Sequence, residues 1–143
     1  MDYLKKTEVM PKKKICLFMR KPMPDKNFSI ENFYYELFKD FKYKNFKIEF
    51  KVCPLKTQGI LNRIFLCIWA YFNQGSINHI CGDINFISIL MNKNKTINTF
   101  LDFYSMRRLK GLKRLIYYIF WIKIPFFKSR KVITISNNTL HEL

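Results

Sequence analysis

Short apolar runs alternate with segments of helical periodicity along the chain, and this alternation restricts the fold more than any other feature. Five runs have the length and residue types of strands. The segments that separate the first three of these runs have the length and periodicity of helices. Strands that alternate with helices at this spacing predict βαβ units around a parallel sheet. The predicted strands are Ile15–Met19, Phe46–Val52, Ile77–Cys81, Thr96–Phe100 and Val132–Ile135. The predicted fold class is therefore α/β.

Helices are predicted in the intervening segments. Apolar residues from Ile30 to Phe41 recur three and four positions apart, which gives one apolar stripe, and Ser29 is a suitable N-cap. The strand at Phe46–Val52 alternates between apolar and charged residues, so we expect it at the outside of the sheet. Further helices are predicted at Ile60–Phe72, which is apolar nearly all round, and at Ile84–Met91, Leu109–Ile122 and from Asn137 onward.

The length and the cysteines indicate one reduced, intracellular domain. A chain of 143 residues suits a single domain with a real core. Its four cysteines form no C-x-x-C motif and stand beside bulky apolar residues, so we expect buried thiols rather than a zinc site or disulfides. The N-terminus lacks the apolar core of a signal peptide, and the apolar stretches are too short to span a bilayer. We expect a cytoplasmic location.

The formal net charge of +16 has two interpretations. It predicts attraction to polyanions, namely nucleic acid, anionic lipid or phosphorylated ligands. Alternatively, it reflects a composition rich in lysine, asparagine and isoleucine throughout, with no localised patch. Helix-turn-helix, zinc-finger and RNP-like motifs are absent from the sequence, so nucleic acid is not expected as a partner.

The segment NHICGDINF places His79, Gly82 and Asp83 at the end of the third predicted strand, where ligands bind in doubly wound sheets. His79 is either a hydrogen-bonded structural residue or a cleft residue. Gly82 permits a positive φ or the close approach of a ligand. Asp83 either caps the next helix or accepts hydrogen bonds from sugar hydroxyls. The chain has only two histidines, so neither a metal site nor a catalytic centre is expected here.

Two further strand ends carry candidate binding residues. Arg20 and Lys21 leave the first strand near the helix that starts at Ser29, and these residues, with Ser29 as a further candidate for substrate binding, predict either a phosphate site or a solvated loop. Asp102 follows the fourth strand and either faces the cleft or forms a turn.

The basic stretch Met106–Lys131 also has two interpretations. Its apolar residues form a helical stripe that would be core in an ordinary globular helix: Leu109, Leu112, Leu115, Ile116, Ile119 and Phe120. The basic residues around it, with Tyr117 and Trp121, are instead typical of an interfacial helix at an anionic membrane. The residues predicted for that membrane surface are Arg107, Arg108, Lys110, Lys113 and Arg114.

The ordered segments ICLFMRKPMPDKNFSIE, NHICGD, TFLDF, GLKRL, W-x-x-x-P and VITISNNTLHEL carry a family likeness. Over Lys14–Leu143 the chain resembles the N-terminal domain of retaining, GT-B-type glycosyltransferases of the family-4 kind. The resemblance implies a Rossmann-like domain over residues 14–143, after a basic lead-in at 1–13, incomplete at its C-terminus. It also implies that this domain binds a glycan or lipid-linked acceptor. The nucleotide-sugar would bind a second domain with a Glu-rich motif, which nothing in this sequence matches.

One position departs from the family pattern. The family's fourth strand usually ends in His-Asp, and the matching residues here are Leu101 and Asp102. Leucine cannot donate a hydrogen bond or stabilise developing charge, and the donor domain has no match here, so we expect no catalytic residue and no turnover by this chain alone. No cofactor is expected. The resemblance also fits a peripheral position at the inner face of the plasma membrane. The alternatives are a basic, non-catalytic module for anionic membrane or nucleic acid, and a fragment of a broken reading frame.

Overall fold

The computed structural model describes residues 12–22, 29–40 and 45–143. Five strands form one sheet in the order β2-β1-β3-β4-β5, and every pairing between neighbours is parallel. The strands are β1 Lys13–Met19, β2 Phe46–Val52, β3 Ile77–Cys81, β4 Thr96–Phe100 and β5 Lys131–Thr134. Three strands have the predicted limits. β1 begins two residues before its predicted start, and β5 begins and ends one residue earlier than predicted. The predicted edge position of β2 is confirmed.

Helices flank the sheet and connect its strands. The first is α1 Ser29–Phe38, between β1 and β2, and the second is α2 Ile60–Phe72, between β2 and β3. Two short 3-10 helices, Asn85–Leu90 and Lys93–Lys95, precede β4. The helical segments that follow are α3 Tyr104–Arg108, α4 Gly111–Tyr117, a π turn at Tyr118–Lys123, α5 Ile124–Phe127 and, after β5, α6 Asn137–Glu142. This is a Rossmann-like α/β fold, as the sequence predicts.

Buried side chains cover both faces of the sheet. Successive residues of β1 point to opposite faces, so Leu17 and Met19 pack beneath α1, while Cys16 and Phe18 pack beneath α2 and the first 3-10 helix. This two-sided burial explains why the strand reads as an uninterrupted apolar run. The helix predicted to reach Phe41 ends at Phe38; both Phe41 and the capping side chain of Ser29 lie outside the described residues.

The prediction of one core-facing helix over Leu109–Ile122 was wrong in its limits and in its buried face. The helix starts at Gly111 and continues to Phe127 through the π turn. Pro125 has no backbone N–H, so the regular hydrogen-bond ladder is interrupted one turn before it. The π turn changes the angular phase between the residues before it and those after it, so Ile122 and Pro125 are buried although the first part of the stripe faces outward. Four residues of that stripe are exposed: Leu112, Leu115, Ile116 and Phe120.

A buried polar network fastens this long helical segment to the sheet. The Asn98 amide of β4 donates to Ser129 Oγ at 2.8 Å and to the Pro125 carbonyl at 3.3 Å. The Asn85 amide donates to Asn98 Oδ1 at 3.1 Å and to the Thr99 carbonyl at 3.0 Å. Because buried polar groups are costly without partners, these bonds hold α5 and the first 3-10 helix in one arrangement on β4.

All four thiols are buried and unpaired with one another, as the sequence predicts. Cys16 and Cys81 lie in strands, Cys53 follows β2, and Cys67 lies in α2. Burial raises the pKa of Cys53 to about 12 and that of Cys67 to about 11, and it also raises the pKa of the other two. The thiols are therefore protonated in the folded protein at neutral pH.

Candidate functional site

The carboxyl ends of β1, β3 and β4 meet at one edge of the sheet. The chain leaves β1 toward β2 on one side and returns over β1 to β3 on the other, so the connections diverge between β1 and β3. In sheets of this kind a crevice forms at that divergence and serves as the usual ligand site. The residues that emerge there are Arg20 after β1, Gly82 and Asp83 after β3, and Leu101 and Asp102 after β4.

Arg20 and Lys21 do not come together as a phosphate site. Arg20 forms an ion pair through its Nε with Glu31, an acidic residue in the first turn of α1. A carboxylate at this helix end is favourable. Because the Glu31 carboxylate neutralises Arg20, that positive charge is not available to bind a phosphate. Lys21 instead donates from Nζ to the Pro54 carbonyl, beyond the end of β2, at 3.0 Å.

Asp83 projects into the crevice and makes no helix cap. The following 3-10 helix begins after Ile84 without any side-chain cap, so the capping interpretation is wrong. The Tyr117 hydroxyl donates to Asp83 Oδ1 at 3.3 Å. Asp83 keeps contact with solvent, yet the surrounding crevice walls remove enough water that desolvation raises the pKa of its carboxyl, with Asp102 adding to the rise. The bond from Tyr117 and the positive charges of Arg20 and Arg63 oppose this rise.

Asp102 forms a turn and also lies at the crevice. Its Oδ1 accepts a hydrogen bond from the Tyr104 backbone N–H at 3.0 Å, which opens α3, so the turn interpretation is confirmed. Asp102 also lines the same cavity as Asp83. The two carboxylates therefore stand at the exits of neighbouring strands and open onto one space.

That space is a cavity of about 170 Å³. Its polar lining consists of Asp83, Asn85, Asp102, Ser105 and Tyr117, and its apolar lining of Phe100, Leu101, Phe103, Trp121 and Ile122. A wider groove of about 340 Å³ adjoins it and shares Asp83, Tyr117 and Trp121. The groove continues between the start of α2 and the exposed side of α4.

Arg63 and Trp121 shape the boundary between cavity and groove. The guanidinium of Arg63 lies 4.6 Å from the centre of the Trp121 ring, and its Nε donates to the Thr57 carbonyl at 2.9 Å. Tyr117 stacks on Trp121 with ring centres 5.1 Å apart. Because Arg63 and Tyr117 both lie against the indole, Trp121 acts as a wall that fixes Tyr117 rather than as an open platform for a ligand.

His79 belongs to the core and not to the crevice. Its Nε2 lies 2.8 Å from Thr99 Oγ1, which also contacts the Tyr34 hydroxyl at 2.9 Å. The Tyr34 and His79 rings meet edge to face, with centres 5.2 Å apart. Burial lowers the pKa of His79 to about 4, so the ring is neutral near pH 7. The structural interpretation of His79 is therefore confirmed.

Gly82 is buried and has a φ of +101°, so the predicted positive φ is confirmed. A Cβ at this position would lie 3.4 Å from Ile30 Cγ2 of α1, a contact that leaves little extra space. The glycine thus turns the chain sharply at the end of β3 and aims Asp83 toward the crevice.

Sequence reasoning missed Tyr117, Arg63, Asn85 and Ser105 as site residues. Arg63 had a usable signal, since it is the one charged residue between Lys56 and Asp83. Tyr117 stood among basic residues and was assigned to a membrane surface instead. Across residues 12–22, 29–40 and 45–143, no three His, Cys, Asp or Glu side chains converge as metal ligands would.

The predicted membrane residues are all on the surface. Arg107, Arg108, Lys110, Lys113 and Arg114 are exposed. Arg107 pairs with Glu142 at 3.2 Å, and the Arg108 guanidinium lies 5.5 Å from the centre of the Tyr104 ring. None of the helices in the described part of the chain has the length and apolar character to cross a bilayer.

Comparisons with protein-family models, with curated proteins and with solved structures found no match for this chain.

Proposed function

We propose that this chain is the acceptor-binding domain of a GT-B-type glycosyltransferase and that it holds a polyhydroxylated acceptor at the carboxyl edge of its sheet. One observation carries the proposal. Asp83 and Asp102, at the exits of the adjacent strands β3 and β4, open onto the same cavity of about 170 Å³. That volume is comparable to a single monosaccharide unit.

The lining suits sugar hydroxyls. A carboxylate accepts hydrogen bonds at both oxygens, so it can take two neighbouring hydroxyls, and such charge-assisted bonds are stronger than neutral ones. Ser105 adds a hydroxyl to the lining, and Asn85, whose amide N–H groups already bind Asn98 and Thr99, can offer its amide oxygen. Phe103 and Ile122 provide apolar surface for the C–H groups of a sugar ring. A small polar set within apolar walls is the usual composition of a specific small-molecule site.

Transfer chemistry is not expected from this chain alone. Leu101 lines the cavity at the position where the resemblance places histidine, and its side chain offers neither a proton nor a hydrogen bond. Its carbonyl already accepts a hydrogen bond from Thr139 Oγ1 at 3.0 Å. We therefore assign binding and orientation of the acceptor, rather than bond making, to these residues.

Amide-resolved NMR titration tests the proposal. Methyl glycosides of glucose, galactose, mannose and N-acetylglucosamine should shift signals of residues around Asp83 and Asp102 with at least one sugar, whereas glycerol should not. Asp83→Asn should weaken that binding about 10- to 100-fold, the range for losing a hydrogen bond to a charged group. Asp40→Asn, on the surface after α1, is the matched control and should bind normally. Shifts that are absent, or that map elsewhere, would contradict the proposal.

We propose a second function for the exposed side of α4, namely contact with an anionic membrane. The specific observation is that Leu112, Leu115 and Ile116 are exposed beside basic side chains, so this face is not core. Apolar side chains can enter the lipid interface while each nearby Lys or Arg contributes on the order of 1 kcal/mol at an anionic surface. A lipid-linked acceptor would bring its sugar to the crevice from this side.

Vesicle co-sedimentation tests this second proposal. The chain should bind phosphatidylglycerol-containing vesicles more than neutral ones, and less as salt rises. Replacing Lys110, Lys113 and Arg114 by Glu should abolish the preference. The matched control replaces Lys93, Lys95 and Lys128, three exposed residues away from α4, so the net charge changes equally. Equal loss in both variants would mean that net charge, and not this surface, attracts the lipid.

A further inference from the structure

The outer face of α2 is apolar from end to end, and none of the residues that the structure describes covers it. Seven of its thirteen residues are large apolar or aromatic side chains that keep between 44% and 82% of their area exposed: Ile60, Leu61, Ile64, Phe65, Ile68, Tyr71 and Phe72. The opposite side of the helix buries Leu66, Cys67 and Ala70 against the sheet. A surface helix normally turns polar residues outward, so this helix has the composition of one that is covered on both sides.

The spacing on this face is that of a helix-packing seam. Leu61, Phe65, Ile68 and Phe72 follow one another at intervals of four, three and four residues. This is the heptad interval at which two helices interlock side chains at a shallow crossing angle. Ile64 and Tyr71 flank the seam on one side. The face therefore has the pattern that packs against another helix.

The absence of charge on this face distinguishes it from the α4 surface. Arg63 is the one charged residue between Lys56 and Asp83, and it is turned onto Trp121 on the protein side of the helix. Helices that lie in a lipid interface carry Lys or Arg beside the apolar face, and α2 has none outward. Two copies of a chain with a net charge of +16 repel each other over most of their surface, and this neutral face lets them associate without bringing Lys or Arg side chains together.

We propose that two copies of this chain associate through α2, packed antiparallel about a two-fold axis that passes between Phe65 and Ile68. An isologous contact of this kind places Leu61 of one copy beside Phe72 of the other. The seven side chains expose on the order of 800 Å² per copy, which is the per-partner area of a standard interface. This inference does not depend on the acceptor proposal, since α2 contributes its opposite side to the crevice.

Sedimentation velocity over a range of protein concentrations tests the association. The wild-type chain should move from 17.4 kDa toward twice that mass at micromolar concentration. Leu61→Glu with Ile68→Glu should remain monomeric, and Leu61→Gln with Ile68→Gln should weaken association at least tenfold without adding charge. The matched control, Leu112→Glu with Leu115→Glu on the exposed face of α4, should dimerise normally. Far-UV circular dichroism confirms that each variant is folded.

Disulfide trapping tests the orientation. Mixing Leu61→Cys with Phe72→Cys under mild oxidation should give an interchain disulfide, whereas either variant alone should not. The expected dissociation constant of the dimer is on the order of 1 µM, so a wild-type chain that stays monomeric at 100 µM would overturn the proposal. Dimers that persist in the folded α2 variants would also overturn it. Binding to neutral phosphatidylcholine vesicles that is lost in those variants would assign the face to lipid instead.

Discussion

The buried histidine of β3 makes a quantitative prediction about stability in mild acid. His79 is neutral in the folded chain because burial lowers its pKa from 6.5 to about 4. Between these values the unfolded chain binds a proton that the folded chain does not. The free energy of unfolding therefore falls as the pH is lowered from about 6.5 to about 4, and this group contributes no slope above or below that window.

The size of the effect follows from the shift. Each pKa unit corresponds to about 1.4 kcal/mol, so the full contribution is about 3 kcal/mol, and about 2 kcal/mol of it is lost between pH 7 and pH 5. For a domain of this size that is a substantial fraction of the usual net stability. His79→Gln removes the titration while leaving an amide that can still donate to Thr99 Oγ1, the present partner of the ring at 2.8 Å.

Urea denaturation at pH 7, 6 and 5 measures the predicted difference. The wild-type chain should lose about 2 kcal/mol more than His79→Gln between pH 7 and pH 5. The comparison cancels the contributions of titrating groups that both proteins share, such as Asp83. Equal losses in the two proteins would refute the assignment of the acid sensitivity to the buried ring.

Three further predictions concern the backbone, the buried polar network and the sheet surface. Gly75→Ala should destabilise the chain by about 2 kcal/mol or more in urea, because its Cβ would lie 2.7 Å from the Lys14 carbonyl oxygen. Gly59→Ala, where φ is +85° and no atom lies within 4 Å, should cost only about 1 kcal/mol, and the reverse ranking would contradict this account. Asn98→Ala should cost about 3 kcal/mol, since it leaves buried partners unsatisfied, and a loss below 1 kcal/mol would mean that water replaces the amide. Glu49 accepts bonds from three lysines that lower its pKa to about 2, so wild-type stability should fall from pH 4.5 toward 2, and Glu49→Gln should show a smaller fall in acid titration followed by circular dichroism.

The central strands β1 and β3 could be predicted from the sequence because they are largely buried on both faces, and the edge strand β2 because its residues alternate. Runs such as ICLFM are continuous and bounded by charged residues. The limits of α2 were also predicted correctly, because its long apolar segment lies between Gly59 and the polar residues that begin at Asn73. Periodicity failed in the segment after β4. Leu115 and Ile122 are seven residues apart and would share one face at 3.6 residues per turn, but the π turn between them puts them on different faces, so Leu115 is exposed and Ile122 is buried.

The site was predictable only where backbone position determined it. Gly82, Asp83 and Asp102 come directly after strands, so the topology alone brings them to one edge. The partners of charged groups depend on pairings between distant segments, and no local pattern reveals them. Glu31 neutralises Arg20 from the next helix, and Tyr117 reaches Asp83 from a position 34 residues away.

The four buried thiols have a practical consequence for labelling chemistry. Maleimides and iodoacetamides react with thiolates, and burial keeps these cysteines protonated and out of contact with reagent in the folded chain. A cysteine introduced on the surface should therefore take a fluorophore or nitroxide selectively, without prior removal of the native ones. The native thiols become reactive only when the element around them unfolds locally. Cys67 therefore reports on α2, and Cys16 and Cys81 report on β1 and β3. Pulsed alkylation followed by mass spectrometry would then show which of these elements opens first.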